Sequence, residues 1–512
     1  MLPELVELIA VYIAQPYDLL RYLCAFENRL ALRLPFRSLR ALLSASMRTP
    51  GLRVWPELEL PHDIASLHQY VCDCMELFPI VRTTSLEAHG ALRPATLLSL
   101  TTLTTPDEVR TACMAPWRHR LVALELHLWD RILVDDAWTP TSLGLLGACF
   151  RLQHQLASLC LRWQLGQSQR AFEHIVLGDV LESNVLHLTL SFNDASKVIW
   201  SDAMATRLGS WLRSSRVQSL ALQGLRFDSM RAATLLVDSM HALRDLRIES
   251  LQLERALCLR ASLPSALRSL CIHGASVLPQ WRTAASLATL ALHYACPIHS
   301  RGRVWAMRPH LHRLRTLVLP NVDLENEHDR EALMALLPQL TELHLDTNHL
   351  GDAGALPIIA TLHRCQYLQV LSLDQQGITD VAAIALTQAH KPPSLRTLRL
   401  ARNRVTCRGV TALCHVMPYL DVLDLSRNRI GGSGAKALSS VLSQTAHMRT
   451  LDVQMNMLGE AGVLALIASL RKERNLRAGV LVLSATVPRA HVRTCRAAIQ
   501  SLPCPHWVIL RG

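Results

Sequence analysis

Four side chains near the end of this 512-residue chain could ligate a metal: His491, Cys495, Cys504 and His506. Their spacing matches no paired zinc arrangement, so buried thiols in a terminal cap are the simpler reading and no metal is expected. Cys72 and Cys74 flank Asp73 and read as helix packing rather than redox or metal chemistry. A phosphate-cradling G-x-x-x-x-G-K-[ST] loop, a G-x-S-x-G nucleophile turn and an H-E-x-x-H zinc helix are all absent from the sequence. The chain therefore reads as a non-enzyme, with no catalytic residue and no cofactor.

Recognition is the chemistry that remains. His344, Ser372, Arg399, Asp424 and Asp452 recur at one position of a repeating frame, and Asp346, Asp374, Ala401, Ser426 and Gln454 recur two residues later. Arg402 and Arg427 stand beside them. If equivalent positions stack, an acidic patch abuts an arginine cluster, which suits a protein of complementary charge. Trp163, Phe192 and Tyr294 fall in one column of earlier repeats and are read as aromatic anchors on the same kind of face. Any one of these could equally be a solvated strand residue or core filling.

The frame that would position them starts at Leu340 (LTELHLDTNHL), Leu368, Leu395, Leu420 and Met448, at spacings of 28, 27, 25 and 28 residues. Leu343 and Leu345 alternate with His344 and Asp346, which predicts a short strand with one buried side. Asn348, Asn403, Asn428 and Asn456 follow, where the turning backbone needs donors and acceptors; Gln376 replaces asparagine in one unit. Next comes a glycine-punctuated entry, as in Gly351 to Gly354, Gly431 to Gly434 and Gly459 to Gly462. Each of these leads into an apolar-periodic helix. Weaker copies of the frame run upstream through Leu314, Leu287, Leu267, Leu243, Val217, Val185, Leu156 and Leu121 to Leu97. Asn193 is a rare upstream survivor of the asparagine position.

The frame L-x-x-L-x-L-x-x-N-x-L resembles the leucine-rich repeat, and residues 340–470 resemble the ribonuclease-inhibitor-like subfamily, which includes Ran GTPase activators and the repeat domains of NOD-type receptors. The resemblance implies an α/β fold: a curved solenoid, or horseshoe, of about thirteen or fourteen units over residues 96–512, with a worn C-terminal cap.

Residues 1–45 lack the frame. Leu5, Leu8, Ile9, Tyr12 and Ile13 share a helical face after Pro3, and Asp18 is placed to cap a second helix through Leu19, Leu20, Leu23 and Phe26. The opening Leu-Pro-Glu, the Ile-x-x-Tyr-Ile run and Asp-Leu-Leu resemble an F-box. That family docks on a Skp-type adaptor of a cullin ubiquitin ligase while a repeat domain captures the client. By resemblance Leu2, Pro3, Leu5, Ile9, Leu19 and Leu20 form the adaptor surface. The tryptophan often found in the family is replaced by Phe26, Glu27 and Asn28, and the same apolar faces suit a small helical cap over the first repeat. Residues 46–95 are read as a linker or N-terminal cap, with a helix around 62–78.

Half the residues are hydrophobic and 18% charged, which excludes a disordered chain. The net charge of +12 is spread thinly and gives no basic stripe of the kind nucleic acid requires. The longest charge-free stretch, 283–300, holds Pro297 and several polar residues, so no membrane span is expected. Glu4 and Glu7 stand where a secretory leader would be basic, and the scattered cysteines suggest reduced thiols, so a cytoplasmic or nuclear location is expected. The functional expectation is a client-binding subunit of a cullin-type ligase. The rivals are a repeat scaffold or receptor unrelated to ubiquitin and an activator of a small GTPase, for which Arg399, Arg402 and Asn403 have suitable chemistry.

Overall fold

Alternating leucines dictate most of the secondary structure, and each helix takes the shape that its place beside a strand allows. The computed structural model describes residues 19, 23, 34–46, 53–54, 58–60, 68–74, 77–78, 80–83, 97–103, 105–114, 120–129, 150, 155–164, 178–192, 198–214, 216–260, 262–275, 281, 286–294, 311–322, 324, 327–388, 393–442, 445, 448–471, 480–483, 491–502 and 508–509. Structural statements below concern these residues. The chain divides into two units, Met1–Leu257 and Cys258–Gly512.

In the first unit, helix α1 (Leu34–Ser46) packs against α2 (His68–Cys74). The Ser38 hydroxyl donates to Asp73 across that contact (2.9 Å). Strands β1 (Arg53–Val54) and β2 (Leu58–Leu60) pair antiparallel. From β2 onward the pairing is parallel, through β3 (Ile80–Thr83), β4 (Leu97–Leu103), β5 (Leu121–Trp129), β6 (Ser158–Gln164) and β7 (His187–Phe192). The short β8 (Ile199–Trp200) leaves this ladder and pairs with β10 (Arg226–Phe227). The main ladder continues from β7 to β9 (Ser219–Gln223) and β11 (Asp245–Glu249). Segment 46–95 thus supplies three short strands among its described residues, and the described helix, His68–Cys74, falls within the 62–78 expected from sequence.

Helix α3 (Pro106–Met114) opens with a reciprocal cap: Glu108 N–H donates to the Thr105 hydroxyl (3.2 Å) and Thr105 N–H to the Glu108 carboxylate (3.0 Å). Helices α4 (Asp202–Ser214) and α5 (Met230–Asp238) pack together, and Ser229 caps α5 by accepting from Ala232 N–H (3.0 Å). Helix α6 (Leu251–Cys258) ends the unit.

The second unit is more regular. Ten parallel strands pair strictly in chain order: β12 (Ser269–Ala275), β13 (Thr289–Tyr294), β14 (Thr316–Val318), β15 (Glu342–His344), β16 (Val370–Ser372), β17 (Thr397–Arg399), β18 (Val422–Asp424), β19 (Thr450–Asp452), β20 (Val480–Val482) and β21 (Val508–Ile509). One leucine per strand stacks through Leu317, Leu343, Leu371, Leu398, Leu423, Leu451 and Leu481, each at most 2% exposed. Helices α7 (Glu327–Leu336), α8 (Gly351–Thr361), α9 (Asp380–Gln388), α10 (Cys407–Leu413), α11 (Gly432–Leu442), α12 (Gly459–Arg471) and α13 (Val492–Gln500) each pack against the next. Strands β20 and β21 lie in the tail where the frame had faded.

Among the glycines of the helix entries, Gly351 and Gly459 have left-handed backbones, φ 58° and 67°, and others sit where neighbouring groups fit closely. A Cβ on Gly409 would lie 2.4 Å from an Asp380 carboxylate oxygen and 2.9 Å from Val405, and one on Gly462 would lie 2.9 Å from the Ala435 Cβ. Among the described residues, no helix is long and apolar enough to cross a membrane.

Candidate functional site

The register of the second unit places His344, Ser372, Arg399, Asp424 and Asp452 side by side on neighbouring strands. They lie on the side of the ladder opposite the buried leucines, because successive strand side chains alternate. His344, Asp424 and Asp452 are half-buried, Arg399 is exposed and Ser372 is buried. His344 Nε2 lies 3.9 Å from the carboxylate of Glu342 on its own strand.

Just past each strand, a second row forms a hydrogen-bonded run between repeats. The Asp346 carboxylate accepts from the Ser372 hydroxyl (2.6 Å) and from Asp374 N–H (3.0 Å), and Asp374 accepts from Ala401 N–H (2.6 Å). Further along, the acceptors sit one row earlier: Asp424 accepts from Ser426 N–H and Asp452 from Gln454 N–H, both at 2.9 Å. Burial, with Asp346 and Asp424 nearby, pushes the Asp374 carboxyl up to about 6, despite the Ala401 N–H and Arg399. Burial and Asp424 likewise push Asp452 up to about 6. The result is a stripe of four aspartates with one arginine set into it.

Arg402 and Arg427 are exposed and have left-handed backbones, φ 56° and 54°. Thr347, Gln375 and Met455 hold the same place, each just before the asparagine or glutamine of its repeat. A left-handed residue is costly unless the structure around it fixes the turn.

The asparagines do that fixing. The Asn403 side-chain amide donates to Leu373 O (2.8 Å) and Ala401 O (3.2 Å), and its oxygen accepts from Gln376 N–H and Ile378 N–H (3.0 Å each). Asn428 donates to Leu400 O (2.8 Å) and Leu425 O (3.0 Å), and Asn456 to Leu425 O (2.9 Å) and Val453 O (3.0 Å). Asn348 donates to Leu319 O (2.8 Å) and Leu345 O (2.7 Å) and accepts from Val322 N–H. Gln376 keeps the rung, donating to Leu345 O and accepting from Leu350 N–H (3.2 Å). These side chains are buried, so their role is to hold repeats together and not to meet a ligand.

A second tie between repeats escaped the sequence reading. Four residues beyond each asparagine position stand Asp352, Asp380 and Cys407. Asp352 accepts from Thr379 N–H (2.9 Å) and its hydroxyl. Asp380 accepts from Thr406 N–H (2.8 Å), the Thr406 hydroxyl and Gly409 N–H (3.0 Å). Cys407 Sγ accepts from Gly431 N–H (3.1 Å) in the same way. Burial pushes the Cys407 thiol up, but hydrogen bonds from Ser433, Gly431 and Gly434 more than offset this and leave its pKa below the ordinary value.

Other expected site residues fall elsewhere. Trp163 and Phe192 are in register but face the core, 1% and 7% exposed. Trp163 keeps phase with Leu159 and Leu161, so period two puts it inside with them. Phe192 meets Trp200 edge-on at 6.5 Å, and Trp200 lies 6.2 Å from Phe227, an aromatic core for the first unit. Neither residue is an exposed anchor. Tyr294 ends β13, and its side chain lies outside the described residues, as do Leu2, Pro3, Leu5, Ile9, Leu20, Asn193, Cys504 and His506. Leu19 is fully buried. Cys495 is buried, which raises its pKa, and His491 pairs with Glu460 (2.7 Å). On the first unit's strands, Glu125 accepts from Arg162 (2.8 Å) and lies 3.1 Å from His127, a polar trio that the sequence reading did not single out.

This architecture of repeated strand, asparagine turn and helix is that of leucine-rich repeats, and a family model and a relative in sequence agree. Residues 338–358, 391–414 and 416–439 match the Leucine Rich repeat family model. Ribonuclease inhibitor from Sus scrofa is 32% identical over 176 residues, 33% of this chain and 38% of that protein. The chain thus spans under two-fifths of that relative's length. An internalin (inlF) from Listeria monocytogenes is 13% identical, with a TM-score of 0.35, over 69% of this chain and 88% of its own. Yeast Rad7, solved with Elc1, is 14% identical, with a TM-score of 0.40, over 70% and 80%. The repeats resemble those of ribonuclease inhibitor and indicate a protein-binding repeat protein.

Proposed function

We propose that this chain recognises a client protein through the charged face of β15 to β19 and presents it to a cullin-type ubiquitin ligase. The carrying observation is the stripe Asp346, Asp374, Asp424 and Asp452, interrupted by exposed Arg399 and bordered by exposed Arg402 and Arg427. Two of these carboxyls, Asp374 and Asp452, are raised by burial and by the neighbouring Asp346 and Asp424 carboxylates, so a cationic group from a client would relieve a cost already present. The client is accordingly a protein with a basic segment flanked by acidic residues. The ligase half rests on the F-box-like sequence of residues 1–45. Bridging would act by raising the effective concentration of the client near the ligase.

The test compares partners co-purified with the full chain and with the Leu5→Asp/Ile9→Asp variant. Loss of a Skp-type adaptor and cullin from the variant, with other partners kept, supports the reading. An unchanged list without an adaptor would refute the ligase role and leave a free-standing binding scaffold.

A further inference from the structure

We propose that Cys271, His273 and His293 form a binding site for one zinc-class divalent ion on the second unit. Parallel pairing sets His273 of β12 directly beside His293 of β13, and Cys271 lies two residues before His273 on the same face. The imidazole rings stack with centroids 4.3 Å apart and planes 5° from parallel. Cys271 Sγ lies 3.3 Å from His273 Nε2, and the three donor atoms all lie within 4.8 Å of one another. A tetrahedral zinc site, with bonds of about 2.0–2.3 Å, separates its donors by roughly 3.3–3.8 Å, so the sulfur–nitrogen edge already fits.

The second strand face fixes this arrangement. Leu270, Ile272, Leu290 and Leu292 are at most 1% exposed and lock both strands, while the three donor residues are half-buried and within reach of solvent. Directly after His273 the pairing shifts by one residue at Gly274, whose φ of +71° suits glycine. That irregularity ends the regular ladder at the ligand pair. The stacked rings are the metal-free arrangement: for one ion to lie in both ring planes, each imidazole turns about χ2, a broad torsion. Binding replaces the thiol proton, which goes to solvent, while two imidazole lone pairs complete three bonds; no electron is transferred. Water takes the fourth position.

The probe is Co2+ added to the reduced, chelator-stripped full chain, followed by displacement with Zn2+. The expected result is a thiolate-to-cobalt charge-transfer band with strong tetrahedral visible bands, saturating at one equivalent and lost on adding Zn2+. Cys271→Ser removes the charge-transfer band, and His273→Gln or His293→Gln weakens cobalt binding at least about tenfold. Cys365→Ser and Cys414→Ser leave the spectrum unchanged. Circular dichroism verifies that each variant is folded, and His293→Gln, on the neighbouring strand, serves if Cys271→Ser is not. An absent band, or one unchanged in Cys271→Ser and His293→Gln, overturns the site.

Discussion

A single buried amide here serves four backbone groups. Replacing Asn403 with Ala strands Leu373 O and the N–H groups of Gln376 and Ile378, while Ala401 O keeps only its bond from Gln375 N–H, at a cost of about 3 kcal/mol measurable by urea unfolding. Asp374 and Asp452 of the stripe act in the opposite sense. Their folded pKa of about 6 lies above the ordinary value, so folding favours their protonated form. The stability they contribute is complete below about pH 4 and is lost as pH rises through about 6. Asp374→Asn/Asp452→Asn should therefore match the parent chain near pH 4 and melt at a higher temperature near pH 7, a gap read from parallel thermal scans. A gap that shrank over that range would contradict the electrostatic assignment. The asparagine amide oxygen can still accept from Ala401 N–H, so the substitution isolates charge.

At the level of elements, the aspartate at the start of one helix holds the start of the next. Asp380→Ala removes the acceptor for Thr406 and Gly409 and should cost about 2 kcal/mol. Gly409→Ala places a Cβ against that same carboxylate and Val405, and should lower the urea midpoint in the same direction. Strands and asparagine turns were legible because their frame repeats at nearly constant spacing, and the columns followed from it. The Asp352, Asp380 and Cys407 tie stands at one frame position but changes residue type, which hid it. The aromatic reading of Trp163 and Phe192 gave residue type precedence over phase, although the leucines two and four positions before Trp163 already put it inside. Cys271 and the histidines carried a signal too: His273 and His293 each lie six residues past a frame leucine, Leu267 and Leu287. Unequal repeat lengths masked that match.

Across the whole molecule, a net charge of +12 coexists with an acidic stripe, so overall charge does not announce the partner. Arg399→Glu/Arg402→Glu/Arg427→Glu should release the client while an adaptor stays bound, and client binding by the parent chain should weaken as salt rises, both read by pull-down. A client list unaffected by the triple change would move recognition to another face.

Strict pairing in chain order has a consequence for descent. Each strand from β12 to β21 touches only its predecessor and successor, so residues 395–419 could be excised and leave two matching ends, Ser372 meeting Asp424 where Arg399 once intervened. Duplication would do the reverse. Such a lineage changes its surface in whole paragraphs instead of letters: one recombination event can bring four carboxylates together without the arginine between them.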